Sequence, residues 1–512
     1  MNKDKPRIAI VTFTDDRDVG IADETVENLL RKKQNEVKDF LEKNSIDVID
    51  PLLEIKKDKD NFWYGLRKIT EVNEAASILN NKYEVDAVII GSWTWSPPML
   101  AMQFIRKVNK PIMYYSENNP LGGGLSQLSA ACSSLLEWGV NEHALKHERN
   151  FGNKEEILNW VNGVTAASRL RESALLLWGG TYAVKMEQLQ DDIPKLKSFL
   201  IRDILSEDQY ILVNRAEKII KNHPGRIKNF IEWTKNNGMS FISDKRMLTD
   251  EAFYKQTALL IAARDRLEEM RDENISGVSI KCQPEIYSEY GVNACTLPAF
   301  LPFPVNEDGE QKIYPTVCEG DIKGLLSSMI LFYLNPLVPP AFGDLVSVED
   351  DYIEFANCGG GSIYWAANSS EPGKALKNVT AQGNIHGVSG ASFNYFGKEL
   401  DKVTVLRLTR IKGKYFAQVG VGKALDSRPF LSAKFGKDLE NHLGQRWGKV
   451  VVDLGVRAQN FIKIVGANHL SATVGDYSKE IEYFCRQVNI DILRIDNDSE
   501  MLDFYNSSRY SN

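Results

Sequence analysis

Three observations predict an α/β chain, with two Rossmann-like parallel-sheet domains in series followed by a mostly β domain. From Arg7 to Leu334, short apolar runs bounded by turn residues alternate with helix-length amphipathic stretches, the pattern of strand–helix–strand units that build a parallel sheet. Beyond Gly343 the pattern changes to short strands and turns, which predicts a mainly β region. The 512 residues are also too many for one ordinary core, and at roughly 100–200 residues per domain they predict about three.

The elements follow in chain order. Arg7–Phe13 reads as a buried strand and Glu24–Lys43 as a long amphipathic helix. Asp47–Asp50, Ala87–Gly91 and Pro111–Tyr115 read as further strands, with helical segments between them. A second unit starts near the run Ala174–Gly180, passes through charged helices between Ile193 and Asp272, and reaches strands near Val278 and Ile313. Its last helix carries the apolar run Leu325–Leu334 and stops before Asn335-Pro336. In the third region, Ile353–Cys358, Lys402–Thr409 and Lys414–Val421 read as strands. The expected domains are therefore 1–168, 169–342 and 343–512. The polar tail from Asp496 is expected to be loose.

Hydrophobic residues make up 43% of the chain and charged residues 26%, the proportions of a globular protein. A net charge of −7 argues against a nucleic-acid partner. Six scattered cysteines form no CxxC pair and no zinc-like spacing, and no stretch reads as a signal peptide or membrane span, so a cytoplasmic protein with free thiols is expected. Gly122-Gly123-Gly124 and Gly359-Gly360-Gly361 lack the flanking residues of phosphate or dinucleotide loops, and no organic cofactor is expected.

Glu319, Asp344 and His469 stand out because each lies at the end of, or just beyond, a sharply bounded apolar stretch. Singly, each reads more readily as a cap, a turn residue or a core histidine. Together they make a mixed carboxylate/imidazole set, hard and oxygen-rich, which points to Mn²⁺, with Mg²⁺ or Co²⁺ as substitutes, more than to tetrahedral Zn²⁺. Asp350 and Asp351 compete with Asp344 but lie in an acidic run that reads as a solvated loop. His386 sits in a loop and is left out of the set. Trp93 and Trp95, at alternate positions past a strand end, are expected to put both indoles on one side, where a sugar could stack; core packing is the competing reading.

The stretch from Thr316 to Asp344 and the tetrad Gly466-Ala467-Asn468-His469 resemble the L-fucose isomerase family. The resemblance implies that Glu319, Asp344 and His469 are metal ligands and that Glu319 and Asp344 flank C1 and C2 of a monosaccharide, with Glu319 as the primary base. It implies isomerisation of an L-fucose-like or arabinose-like aldose to its ketose through a cis-enediol, a step in which a divalent ion serves as Lewis acid and template. Gln283 and Asn468 are implied as substrate-binding residues. So is Arg17, in the loop after the first strand, as a residue that reaches a neighbouring subunit's site; Asp18 stands where the family usually has a second arginine. Trp93-Thr94-Trp95-Ser96-Pro97 is similar to a segment of L-arabinose isomerases. A hexamer or trimer with shared sites is implied as well. A non-catalytic sugar-binding or regulatory protein on the same fold, or a metal-dependent sugar epimerase or lyase, would share these features.

Overall fold

The computed structural model describes residues 5–16, 23–55, 63–119, 122–138, 147–181, 185–244, 247–384, 389–441 and 447–507. The chain divides into two compact units, one made of Met1–Ser168 with Lys479–Asn489, the other of Arg169–Ser478 with Ile490–Asn512.

The first unit holds five parallel strands, β1 (Arg7–Thr12), β2 (Asp47–Ile49), β3 (Ala87–Gly91), β4 (Ile112–Ser116) and β5 (His147–Phe151), in the order β2-β1-β3-β4-β5. Every residue of β3 and β4 is buried, as expected of strands covered on both faces by crossover helices. The helix Glu24–Lys43 starts at Asp23, whose carboxylate accepts from the Val26 N–H at 2.9 Å; Glu24 and Glu27 lie in its first turn and Lys43 in its last, as the helix dipole favours. The late helix Ser478–Val488 lies almost wholly in this unit.

The second unit combines a parallel sheet with a barrel. Its parallel strands are β6 (Ala174–Trp178), β7 (Asp203–Glu207), β9 (Ile275–Ile280) and β12 (Thr316–Cys318), in the order β12-β9-β6-β7. Between them come β8 (Ser240–Ile242) and the small hairpin β10 (Val305–Asn306) and β11 (Gly309–Glu310). After them run β13 (Ala341–Glu349), β14 (Tyr352–Asn357), β15 (Thr380–Gly383), β16 (Ala391–Phe396), β17 (Leu400–Ile411), β18 (Lys414–Leu425), β19 (Gly448–Asp453), β20 (His469–Val474) and β21 (Asp491–Arg494). Strands β18-β17-β20-β13-β14-β19 are hydrogen-bonded in that order, and a further pairing of β19 with β18 closes them into an antiparallel barrel. Closure pairs the two end strands of this set of six with each other. The fold class thus agrees with the sequence reading, and β8, from the middle of the chain, extends the barrel sheet through β15.

The helix Ile322–Leu334 joins these two parts. It is apolar on nearly all sides and packs against β9 and β12 on one flank and β17 and β20 on the other. Among the described residues no helix is long and apolar enough to cross a membrane.

Candidate active site

Glu319 follows directly on β12, at the carboxyl end of the parallel sheet, where α/β folds place their ligands. The backbone turns sharply there, with φ of 68° at Glu319 and 71° at Gly320. A Cβ on Gly320 would lie 2.3 Å from the Gly180 carbonyl oxygen, so only glycine fits. Glu319 has no such exemption, and its left-handed backbone is held by hydrogen bonds from its own N–H to the Ile280 carbonyl (2.9 Å) and from the Gly320 N–H to Ser279 Oγ (3.1 Å). Asp321 then caps the helix Ile322–Leu334, accepting from the Gly324 N–H at 2.8 Å.

The barrel supplies the other two groups. Asp344 on β13 and His469 on β20 are register partners, so their side chains emerge side by side. His469 Nε2 lies 3.4 Å from Glu319 Oε2 and 3.3 Å from Asp344 Oδ1. The structure thus brings all three sequence-predicted residues to one point. His469 Nε2 and Glu319 Oε2 are buried, and at these separations neither makes a hydrogen bond of good geometry. Leaving two such atoms without a partner is costly unless a ligand completes them.

The far side of the imidazole is fixed. Its Nδ1 is 2.8 Å from Asp321 Oδ2, and Arg407 donates to both oxygens of Asp321 at 2.6 and 3.2 Å, with all three side chains buried. Burial opposes the charge on Asp321, but Arg407 and His469 more than offset it and hold the carboxyl below its usual range. Burial likewise opposes a charge on His469, yet Asp344, Asp321 and Glu319 outweigh it and raise the imidazole's affinity for a proton. A site that draws a proton to Nε2 against burial also suits a divalent cation in the proton's place. The carboxylate behind the ring is the support that metal-binding histidines usually have. The donor set therefore fits a divalent ion.

Asn468 stands beside the set, donating from Nδ2 to Asp344 Oδ1 at 2.8 Å and accepting from Gln188 at 3.2 Å. Gln283 is half-buried in the loop after β9, the strand next to β12, and so lies at the same end of the sheet. Asp350 and Asp351 occupy the turn at the far end of β13 from Asp344, where Asp350 accepts from the Ala458 N–H and Asp351 pairs with Lys434. Trp93 corrects the expectation of two open indoles. It is fully buried in the core of the first unit, its N–H donating to Gln34 Oε1 at 3.0 Å and its ring meeting Tyr115 edge-on, whereas Trp95 is partly exposed. Arg17 and His386 lie outside the described residues.

Asp321 and Arg407 escaped the sequence reading. Asp321 had a signal, a capping residue two positions after Glu319 and directly before an apolar helix. Arg407 had none, since a charged residue between Leu406 and Leu408 reads as the solvent face of a strand.

Residues 355–496 match the L-fucose isomerase C-terminal domain family, a span that contains His469. The chain is similar to the sulfoquinovose isomerase of Alkalicoccus urumqiensis, with 26% identity over 80% of this chain and 86% of the relative. It is also similar to that of Priestia aryabhattai, with 23% identity over 71% of this chain and 78% of the relative. With its α/β domains, its barrel and the L-fucose isomerase C-terminal domain match over residues 355–496, the chain is similar to the L-fucose isomerase-like family and is an aldose–ketose isomerase.

Proposed function

We propose that the chain interconverts a monosaccharide aldose and its ketose at the Glu319–Asp344–His469 cluster, with Mn²⁺ as the resident ion and Mg²⁺ or Co²⁺ as substitutes. The observation that carries this reading is the convergence of two carboxylates on a buried imidazole, with Glu319 Oε2 and His469 Nε2 lacking hydrogen-bond partners. A bound divalent cation would supply Lewis acidity to the adjacent sugar oxygens. The protein's own groups do the rest. Glu319 takes the C2 proton and returns it at C1, Asp344 provides the second carboxylate, and Asp321 with Arg407 keeps His469 in place. Asn468 and Gln283 are the proposed hydrogen-bonding contacts to the sugar, and Trp95 and Arg17 its contacts from the first unit.

For the substrate, a sulfonated hexose of the sulfoquinovose type ranks ahead of L-fucose or arabinose, because the relatives matched over most of their length are sulfoquinovose isomerases. We place the protein in the cytoplasm, where its six buried thiols suit a reducing compartment. The resemblance to the family supports a homo-oligomer with shared sites.

The test is to strip the protein with a chelator, restore Mn²⁺, Mg²⁺ or Co²⁺ separately, and assay ketose formation from sulfoquinovose, L-fucose, D-arabinose and L-arabinose. Activity restored by Mn²⁺ on at least one aldose is expected. Undiminished turnover in protein shown by metal analysis to be metal-free would overturn the metal assignment, and no ketose from any aldose would overturn the substrate class.

A further inference from the structure

We propose that Cys318, Cys358 and Glu319 form a second metal site, one for a thiophilic d¹⁰ cation such as Zn²⁺ or Cd²⁺, and that it overlaps the first through the Glu319 carboxylate. Strand β12 delivers Cys318 immediately before Glu319, and β14 delivers Cys358 immediately after Asn357. The two sulfurs and a Glu319 carboxylate oxygen all lie within 4.8 Å of one another, and all three residues are buried.

Zinc bonds of about 2.3 Å to sulfur and 2.0–2.2 Å to oxygen place tetrahedral ligands roughly 3.5 Å apart, so small side-chain adjustments would close the set. The pieces are already held. Asn357 Nδ2 donates to Cys318 Sγ at 3.5 Å, and Asn357 Oδ1 accepts from the Gly360 N–H at 2.7 Å.

Softness separates the two sites. Oxygen and imidazole donors suit the harder ions, whereas a pair of thiolates selects zinc-like ones. Binding therefore exchanges protons for the ion: the cation, two thiols and one carboxylate give one complex and two released protons, with no redox change. Once engaged, the Glu319 carboxylate is no longer available as a base, so such an ion inhibits. The overlap with the first site and this inhibition rest on the function proposed above.

The experiment uses the full chain, reduced and chelator-treated, titrated with Cd²⁺ alone while ultraviolet sulfur-to-cadmium charge transfer and proton release are recorded. One ion per chain with a charge-transfer band and proton release is expected. Cys318→Ser and Cys358→Ser should each abolish the band and weaken Cd²⁺ binding by more than the roughly hundredfold that loss of a mere supporting partner can cost. Cys132→Ser, a buried thiol of the first unit, should leave the band intact. Cys358→Ala, with a melting curve, guards against a serine that disturbs folding. No band in the parent, or a band that survives in both Cys358 variants, would overturn the site. A band without loss of Mn²⁺-dependent turnover would overturn the shared carboxylate, whereas a band in a protein that isomerises nothing would count against the proposed function and leave this site standing.

Discussion

Glu319 occupies a backbone position that a side chain adopts only at a cost of about 1–3 kcal/mol, and such strain persists where the surroundings over-determine it. Here β12, the Gly180 backbone and the capped helix leave the chain no other path, and the strain aims the carboxylate at His469. Glu319→Gln keeps the shape but removes the base. Turnover is expected to fall about a hundredfold or more with little change in Tm, and a loss under threefold, far below the scale of general-base catalysis, would make Glu319 a bystander. Asp351→Asn is the control at the remote turn and should leave turnover unchanged. Asp321→Asn tests positioning: it should weaken the apparent affinity for Mn²⁺ by about 10–100-fold, with turnover largely recovered at saturating ion, and a kcat loss that excess Mn²⁺ does not repair would point to a direct role. The residues legible in the sequence were those whose type is unusual at the end of an apolar run, Glu319 and His469 above all. Arg407 was illegible because its burial depends on an ion pair to a residue 86 positions away. Trp93 was misread for a similar reason, since Gln34 satisfies its N–H and lets the indole sink into the core.

At the scale of elements, β3, β4 and β6 were legible as fully buried five-residue runs, because a strand covered on both faces needs no partner to announce itself. The hairpin of β17 and β18 was nearly so, its two-residue turn at Lys412-Gly413 having positive φ at both positions, the backbone that twisted strands prefer. Barrel closure was not legible, since the pairing of β18 with β19 joins segments whose local patterns say nothing of each other. Nor would a sequence rule bury the lysine that lies where β16 pairs with β19. Lys449 on β19 is fully covered, donating to Asn394 Oδ1 at 3.0 Å and lying 4.0 Å from the centre of the Phe396 ring. Burial lowers its pKa to about 7, a fall that Glu354 opposes and Arg428 reinforces. Above pH 7 the folded lysine sheds a proton that the unfolded chain keeps until near pH 10, so this group's contribution to stability rises with pH. Lys449→Met removes the dependence. The stability of the parent relative to the variant, measured by denaturant unfolding, should improve by roughly 1 kcal/mol between pH 7 and 8, a window below the ordinary thiol pKa. A difference that stays flat across that window would mean that Lys449 keeps its proton in the folded state.

For the molecule as a whole, the ligand set comes entirely from the second unit, while Arg17 and Trp95, the other proposed sugar contacts, belong to the first. On the proposal that the family's shared-site assembly holds here, those residues complete the site of a neighbouring copy, and activity belongs to the oligomer rather than to the chain. Complementation decides the matter. Arg17→Ala and Glu319→Gln proteins, each shown to be inactive alone, are mixed under conditions in which labelled subunits demonstrably exchange. If sites are shared, some mixed interfaces pair an intact Arg17 with an intact Glu319, and turnover returns to a fraction of the parent's, rising with the extent of exchange. If each chain builds its own site, every site in the mixture still carries one lesion and nothing returns. Recovery would also have to fall again when the mixture is diluted enough to dissociate the assembly, because the restored sites exist only where two chains meet.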